Sequence, residues 1–464
     1  MAEQPQQVQT QGKLKRVLTL KDLTIYGIAF KTPIAPAYIY GSASSLTGGT
    51  LAGAYLVAMV AMLFTAISYG RMAGEFPVAG STYAYTQRGV NKYLGFLAGW
   101  AMYLDYVLVP LIVFITGALY ANAAIPAVPY FVWVLLIAGV TTIVNCVGVK
   151  MASRTNIFLV AVMCAIVVAF IVACALAVLK GTGEGTLISA RPFFNPDTTN
   201  VSVLVAGGAV ACFSFLGFDS ITTMSEEAVH PKKDIGRAAV IACLIGGLIF
   251  ILQAYVAQLV WPDVTTFESA DTALFEIANL AGGPIMSGLY TFAVVLSTLT
   301  AGISGQSSAA RVMYGMGRDE ALPKKFFTYL HPKFNTPVLN ILIMAVIGVV
   351  GSVALDLNLV TQMMNFGGLF GFMCVNLAVI VHFFFRKKER NAFTNLLLPL
   401  LGLLICGYLW VSLSSTSHII GFVWLGIGFI VMLITTKGFK IQPKIYDEQD
   451  PDEDLADTSN STAK

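Results

Sequence analysis

Apolar stretches of about twenty residues recur along this chain, and they limit what it can fold into. A helix of about 20 residues spans the hydrocarbon core of a bilayer. Hydrophobic residues make up 56% of the 464 residues and charged residues only 11%, against about 25% charged residues in soluble domains. The pattern predicts an all-α integral membrane protein with twelve transmembrane helices. Their approximate limits are 22–46, 51–72, 94–120, 129–148, 155–179, 203–226, 236–260, 284–308, 337–355, 360–385, 394–413 and 417–436.

Lysine and arginine are distributed very unevenly between alternate loops, which tests the number of spans. With the amino terminus placed in the cytoplasm, 25 of the 28 Lys and Arg residues lie on the inner side. The outer side has only Lys180 and Arg191, and Lys31 falls within the first span. This is the bias described by the positive-inside rule. It predicts a multi-pass protein of the cytoplasmic membrane with an amino-terminal tail at 1–21 and an acidic tail at 437–464, both cytoplasmic.

The first apolar segment, residues 22–46, breaks several rules for a simple transmembrane helix. Pro33 and Pro36 each remove a backbone hydrogen-bond donor. Lys31 places a charge at membrane depth, where insertion costs at least about 3 kcal/mol. Broken backbone is tolerated there only where it is buried in protein or lines a wet cavity, so the segment is interpreted as a discontinuous helix at a substrate site. The alternative is a proline-kinked spanning helix whose lysine extends to a lipid headgroup.

The sixth apolar segment also combines glycine with a charge inside the membrane. Gly217 weakens the helix, and Asp219 follows two residues later. The two interrupted segments stand five spans apart, as expected for two five-span repeats, and an odd repeat length inverts the second copy in the membrane. The predicted organisation is a transporter domain at 22–436, with inverted repeats at about 22–179 and 203–385 and peripheral helices at 394–436.

Three charged residues lie well inside predicted spans, namely Lys31, Asp105 and Asp219. Each is expected to face water, substrate or a partner, and two interpretations are open. In one, the aspartates receive a cationic group of the substrate, or one of them carries a coupling proton. In the other, Lys31 pairs with an aspartate as an internal structural contact. Nearby aromatic residues such as Phe30 and Phe213 are candidates to close over a substrate or stack on an ammonium, although any one of them is more often a packing residue.

Three stretches resemble the amino acid–polyamine–organocation (APC) transporter superfamily. They are CFSFLGFDSITTMSEE at 212–227, EFPVAGSTYAYTQRGVN at 75–91 and RVMYGMGRDEALPKKFFTYLHPKFNTP at 311–337. The resemblance covers about residues 15–440 and is nearest to bacterial putrescine importers and related amino acid permeases. It implies a LeuT-like five-plus-five inverted repeat with alternating access. It also implies a site between the first, third, sixth, eighth and tenth spans, driven by protons or by exchange.

Carried over position by position, the resemblance makes 27–33 and 213–219 the unwound parts of the first and sixth spans. It also places Asp105 and Asp219 at acidic positions of the putrescine importers. The substrate-binding residues that it implies are Gly27, Ala29, Phe30, Lys31, Asp105, Phe213, Phe215, Gly217 and Asp219. The candidate coupling residues are Lys31, Asp219, Thr300 and Ser304, the last two as part of a sodium site on the eighth span.

Two departures from the family pattern bear on the substrate. Amino acid permeases of this superfamily commonly have a GxGxG-like run in the first span, whereas this chain has GIAFKTP at 27–33. The importers have no lysine at the position of Lys31, and an ammonium there repels a diamine unless it is paired or neutral. Lys31 therefore favours a substrate with a carboxylate. Some proton-coupled relatives have an amine on the fifth span, where this chain has Met163, and Lys31 is a candidate to replace it.

Absent motifs exclude several other classes of protein. The chain has no GxxxxGK[ST] phosphate loop and no HExxH or Cys/His ligand spacing, so neither a cofactor nor a metal nor a nucleic-acid partner is expected. The prediction is a non-enzymatic permease for small amino acids or related amines, coupled to protons or sodium, surrounded by lipid, and monomeric or homodimeric. A putrescine importer or exchanger is the first alternative, and a non-transporting nutrient sensor is the second.

Overall fold

The computed structural model describes residues 16–77, 81–147, 153–225, 227–318, 323–334 and 336–440. Within these ranges the regular elements are helices, and the one β contact is a parallel bridge between Leu18 and Ala228. Most of the two predicted tails, residues 1–15 and 441–464, lies outside the described residues.

Fifteen α-helices follow one another in the described part of the chain. In chain order they are α1 (Leu20–Lys31), α2 (Tyr40–Thr47), α3 (Leu51–Glu75), α4 (Ser81–Gly89), α5 (Lys92–Ala124), α6 (Tyr130–Val147), α7 (Ser153–Leu179), α8 (Val201–Ala211), α9 (Pro231–Val260), α10 (Ala273–Arg318), α11 (Lys324–Phe327), α12 (Val338–Ala354), α13 (Leu357–Val379), α14 (Leu398–Val411) and α15 (Ser415–Thr435). Short 3-10 and π-helical segments join or extend several of them.

Ten helical segments among the described residues are long and apolar enough to cross a membrane. They coincide with the predicted second to eighth and tenth to twelfth spans. The predicted ninth span corresponds to α12, a shorter apolar helix of 17 residues, and the first is divided between α1 and α2. A helical membrane protein is thus confirmed, whereas the count of twelve spans and the inverted repeat stay predictions.

The first predicted span is interrupted directly after Lys31, where α1 ends. Pro33 has no backbone N–H to continue the helix, and Thr32 before it has a φ of 55°, a conformation that a β-branched residue rarely adopts. A 3-10 helix at Ala35–Tyr38 then leads into α2. The irregular residues 32–39 are called the first break below.

The sixth predicted span is interrupted around Gly217, called the second break below. After α8 the chain forms two 3-10 helices, Cys212–Phe215 and Phe218–Met224, on either side of this glycine. Gly217 has a φ of 103°, and a Cβ there would lie 2.3 Å from Cδ1 of Phe30. Both the backbone conformation and the close approach therefore require glycine. The contact with Phe30 joins the second break to the last turn of α1, directly before the first break.

The helices α3 and α9, which follow the two broken segments in sequence, cross with their backbones in contact. A Cβ on Gly70 would lie 2.7 Å from Cα of Gly236, and a Cβ on Gly236 would lie 2.6 Å from Cα of Gly70. Small residues at such a crossing let transmembrane helices approach closely. The contact ties together the two halves of the chain that contain the breaks.

The last helix, α15, is attached to α5 through two tryptophans. Trp100 Nε1 donates a hydrogen bond to the carbonyl of Trp424, and Trp424 Nε1 donates one to the carbonyl of Trp100, both at 2.9 Å. The two rings stack with their centroids 5.0 Å apart. A helix predicted to be peripheral is therefore held to the third predicted span by a reciprocal pair of bonds.

Candidate substrate site

A cavity of about 120 Å³ lies between the two breaks and helices α5, α10 and α13. Its walls are mainly apolar, and its polar groups are hydroxyls together with Lys31 and Asp105. Lining residues in and beside the breaks are Phe30, Lys31, Thr32, Ala35, Tyr38, Phe213 and Leu216. The helices contribute Asp105, Tyr106, Val109, Ile112, Val113, Ala301, Ser304, Gly305, Ser308 and Met364.

Side chains from neighbouring helices bind carbonyl groups in the first break. Gln253 Nε2 on α9 donates to the Pro33 carbonyl at 2.9 Å, and the Tyr120 hydroxyl on α5 donates to the Ala37 carbonyl at 3.0 Å. Gln253 and Tyr120 are both fully buried. Because an unsatisfied buried acceptor costs about 1–3 kcal/mol, these bonds help to hold the irregular backbone beside the cavity.

Asn365 on α13 has the corresponding role at the second break. Its Nδ2 donates to the carbonyls of Ala209 at 2.9 Å and Val210 at 3.2 Å, where α8 ends. Neither Asn365 nor the Gln253 contact was predicted from the sequence. A single amide in an apolar segment signals a buried polar partner, but it does not say which part of the chain that partner comes from.

The side chain of Lys31 lines the cavity, but its ammonium group is directed at two aromatic rings. Nζ lies 5.6 Å from the ring centroid of Phe215 and 5.3 Å from that of Phe218, within the range of cation–π interactions. Nζ is buried and has no hydrogen-bond acceptor among the described residues. Asp219 lies close enough to interact with it electrostatically, but the two form no direct ion pair in this conformation.

Asp105 is the acidic residue that lines the cavity. It lies on α5, and Tyr106 beside it is also a lining residue. Oδ1 of Asp105 is buried and has no hydrogen-bond partner among the described residues. Asp219 is near enough for the two carboxylates to repel each other when both are charged. Because a shielded carboxylate oxygen without a donor is unfavourable, a donor entering the cavity would satisfy it.

Asp219 does not belong to the cavity wall. It is only 8% exposed and stands at the start of the 3-10 helix Phe218–Met224. Its carboxylate lies beside the backbone amides of Gly217 and of Asp219 itself, and near the Ser81 hydroxyl. The exposed N–H groups at a helix start favour negative charge. Asp105 and Asp219 therefore occupy different environments, one at the cavity and one within the protein.

The other predicted site residues fall into two groups. Those that line the cavity are Phe30, Phe213 and Ser304. Those outside its lining are Gly27, Ala29, Phe215, Gly217 and Thr300. The Thr300 hydroxyl donates to the Ser297 carbonyl within α10 at 2.9 Å. In the described part of the chain, no group of three or more His, Cys, Asp or Glu residues is placed to hold a metal ion.

Tyr38 and Ser308 also line the cavity, although neither was predicted from the sequence. The Tyr38 hydroxyl lies 3.3 Å from Ser297 Oγ, and its ring packs on Phe213 with centroids 5.7 Å apart, so it links the two breaks. Ser308 lies one turn beyond Ser304 on α10. A hydroxyl repeating every four residues on an apolar helix was an available signal for a polar face.

Residues 33–441 match the amino acid permease family. The chain belongs to this family. The permease is 35% identical over 441 residues to the low-affinity putrescine importer PlaP of Escherichia coli (strain K12), with 94% of this chain and 97% of that protein covered. It is 26% identical to the branched-chain amino acid permease BcaP of Bacillus subtilis (strain 168), with coverages of 91% and 94%. It is 25% identical to the methylthioribose transporter of the same organism, with the same coverages.

The permease is therefore a multi-pass membrane transporter of a small molecule and not an enzyme. The predicted superfamily and the predicted class of protein are confirmed. The names of the three relatives mention a diamine, branched-chain amino acids and a sugar derivative. Membership of the family therefore does not determine the substrate, which must be inferred from the residues that line the cavity.

Proposed function

We propose that the permease is a secondary active transporter of small amino acids or closely related amines in the cytoplasmic membrane, with Asp105 receiving the substrate's amino group. One observation carries this proposal. Oδ1 of the cavity-lining Asp105 is buried without a hydrogen-bond partner among the described residues. An ammonium group supplies both donors and opposite charge, and such charge-assisted bonds are strong in a site sheltered from water.

The size and chemistry of the cavity support a small substrate with an apolar body. The cavity volume of about 120 Å³ is below the usual range of about 300–1,000 Å³ for drug-sized ligand sites, so in this conformation the cavity suits only a small substrate. Ile112 and Leu216 are among the apolar lining residues that suit a substrate side chain, and the hydroxyls of Thr32 and Tyr38 suit a carboxylate. The Lys31 ammonium, although directed at Phe215 and Phe218, keeps positive charge close to that side and favours an amino acid over a diamine.

We infer that the permease has twelve spans, both termini in the cytoplasm, and a LeuT-like pair of inverted repeats at about 22–179 and 203–385. The two breaks stand five predicted spans apart, which supports this arrangement. The contact between Gly70 on α3 and Gly236 on α9 joins equivalent members of the two repeats, as expected near a two-fold axis. Alternating access would then move the two breaks relative to α5, α10 and α13.

We infer proton coupling, with Lys31 and Asp219 as the groups whose charges change during transport. Both residues are buried, and they interact electrostatically without forming an ion pair. Protonation of Asp219 would remove its attraction for the Lys31 ammonium and so change the balance between the two breaks. A sodium site at Thr300 and Ser304 has less support, because the Thr300 hydroxyl is already bonded within α10.

Putrescine import is the second candidate, favoured by the 35% identity to the E. coli importer. One ammonium of the diamine would bind Asp105, and the other would need a second acceptor. Asp219 is the nearest acidic candidate, but the Lys31 ammonium lies close to it. A diamine therefore requires Lys31 to be neutral or to move away from the cavity.

The test is uptake of labelled putrescine and of a mixed pool of labelled amino acids into proteoliposomes, each with and without an inward proton gradient. We expect gradient-dependent accumulation of amino acids. Accumulation of putrescine alone would favour the second candidate. Ligand-induced thermal stabilisation without flux would instead indicate a nutrient sensor, and accumulation in sodium buffer without a proton gradient would contradict proton coupling.

Asp105→Asn is the variant that tests the binding role. It preserves size but removes the charge, and loss of one partner of a buried charge pair costs about 2–5 kcal/mol. We therefore expect initial uptake to fall about a hundred-fold. The matched control is Asp197→Asn, at an exposed position outside the cavity, which should leave uptake unchanged. Normal uptake by Asp105→Asn would remove Asp105 from the site.

A further inference from the structure

A second recess lies at the crossing of α3 and α9, and it shares no residue with the substrate cavity. It is a shallow, open recess of about 340 Å³. Its lining residues are Ile67, Gly70, Arg71, Gly236, Arg237, Val240 and Ile241. We call it the α3–α9 groove. The distribution of Lys and Arg predicts that its arginine end faces the cytoplasm.

The floor of the α3–α9 groove is backbone rather than side chain. Gly70 and Gly236 touch each other at the crossing, so no side chain fills the space above them. The other lining residues stand three or four positions apart on each helix, which places them on one face. A bulky headgroup can therefore approach both helix backbones at this point.

The two helices each bring an arginine to this groove. Arg237 is exposed and forms no ion pair with any described residue. Arg71 donates through Nη2 to Asn395 Oδ1 at 2.6 Å and to Glu389 Oε2 at 3.3 Å. Nε of Arg71 is buried without an acceptor among the described residues, and its guanidinium stacks 4.6 Å from the ring centroid of Phe383. The arginine end of the groove therefore has accessible donors on Arg237 and, with two arginines against Glu389, an excess of positive charge.

The rest of the groove is apolar and lies deeper in the membrane. Ile67 precedes Arg71 by one turn on α3, which runs toward the predicted cytoplasmic side. Val240 and Ile241 follow Arg237 by one turn on α9, which runs away from it. These three side chains are only partly buried by protein, and both helices are apolar enough to span a membrane. The groove is thus cationic at the membrane surface and apolar toward the membrane centre.

We propose that the α3–α9 groove binds an anionic phospholipid of the inner leaflet. The lipid phosphate lies between Arg71 and Arg237, and an acyl chain packs along Ile67, Val240 and Ile241. Arginine suits this role because its planar fork matches phosphate oxygens, and basic pockets between helices on the cytoplasmic side bind acidic headgroups. Because Arg71 also holds Glu389 and Asn395, the bound lipid connects α3 and α9 to the segment that follows α13.

Native mass spectrometry of the full chain in detergent tests this site without any measurement of transport. Phosphatidylglycerol and phosphatidylcholine are titrated onto the delipidated protein, and their retention is compared. We expect the wild-type protein to prefer phosphatidylglycerol. Arg237→Gln should weaken its binding about five-fold, which is the ratio equivalent to about 1 kcal/mol per basic residue near an acidic lipid surface. Ile241→Trp, whose larger side chain fills the apolar part of the groove, should weaken phosphatidylglycerol binding without changing the charge of the protein.

The matched control is Lys233→Gln, one turn before Arg237 on α9, exposed and outside the groove lining. It should retain the lipid preference of the wild type. An equal loss in Lys233→Gln would mean diffuse surface attraction and would overturn the proposal. So would undiminished phosphatidylglycerol binding in Arg237→Gln, or equal retention of the two lipids by the wild type.

Discussion

The first and second breaks interrupt their helices in the same way but contribute differently to the cavity. The first break, at 32–39, forms much of the cavity wall together with Phe30 and Lys31. The second, around Gly217, contributes only Phe213 and Leu216, and it turns its carboxylate, Asp219, into the protein. Two helices that are interrupted in similar places can therefore contribute different groups to the same site. The first is suited to binding, and the second to closing the site and carrying charge.

The largest effect that would sharpen this comparison is expected from Asp219→Asn. The amide keeps the size of the carboxylate but cannot change its charge, so gradient-driven accumulation should fall to background. Loss of one partner of a buried charge pair costs about 2–5 kcal/mol, which corresponds to a loss of about a hundred-fold or more. Membrane insertion and the size-exclusion profile should be unchanged. The measurement is uptake with a proton gradient beside counterflow without one. Full accumulation by Asp219→Asn would leave the second break without a coupling role.

Gly217→Ala tests whether the contact between the breaks is essential. The new Cβ would lie 2.3 Å from Phe30 in a residue with a φ of 103°, so we expect at least about a ten-fold loss of uptake and a lower melting temperature. Gly181→Ala is the matched control, because Gly181 has a φ of 93° and open space around it. That variant should show only the backbone strain, about 1–2 kcal/mol. Equal losses of uptake and stability in the two variants would mean that the Phe30 side chain can move aside and that its contact with Gly217 is not essential.

Lys31→Leu tests the charge that distinguishes the first break. We expect the ratio of amino acid to putrescine uptake to fall about ten-fold or more, since a hydrogen bond to a charged group is worth about 1.5–3 kcal/mol. Thermal stability should be unchanged or higher, because a buried ammonium without an acceptor opposes folding. Competition between the two labelled substrates measures the ratio. An unchanged ratio with a lower melting temperature would make Lys31 a structural residue.

The smallest effects should come from the amides that support the breaks, compared as Gln253→Leu and Asn365→Leu. Each change removes side-chain hydrogen bonds to buried carbonyls and should lower the free energy of unfolding by about 1–3 kcal/mol. Gln253→Leu disturbs the cavity wall and should mainly raise KM. Asn365→Leu disturbs the second break and should mainly lower the maximal rate. The same change in KM for both variants would contradict the assignment of substrate binding to the first break and of closure to the second.

Much of the discontinuity could be predicted from residue types alone. Pro33 cannot continue a helix, Gly217 precedes a charge in an apolar segment, and Lys31 would be too costly facing lipid. Each of these is a local physical statement about one residue in hydrocarbon. The resulting expectation, two interrupted helices with Asp105 on a third span beside them, corresponds to elements that the structure brings around one cavity.

The orientation of individual side chains could not be predicted in the same way. Residues in a 3-10 helix turn by about 120° per position instead of 100°, so α-helical periodicity misplaces them. In the second break, Phe213 lines the cavity, whereas Phe215 packs toward the Lys31 ammonium. The position of Asp219 likewise follows from the left-handed conformation of Gly217, two residues before it. The partners of Gln253 and Asn365 depend on tertiary contacts more than 150 residues away in sequence.

The paired tryptophans on α5 and α15 give the protein an optical property. Trp100 and Trp424 are two of only five tryptophans in the chain, and their indoles stack at 5.0 Å with 22° between the planes. Indoles this close couple their strong far-ultraviolet transitions, so we expect the pair to add an exciton band to the far-ultraviolet circular dichroism that separated indoles lack. Loss of that band on heating would report that the last helix has left the bundle, without any attached label.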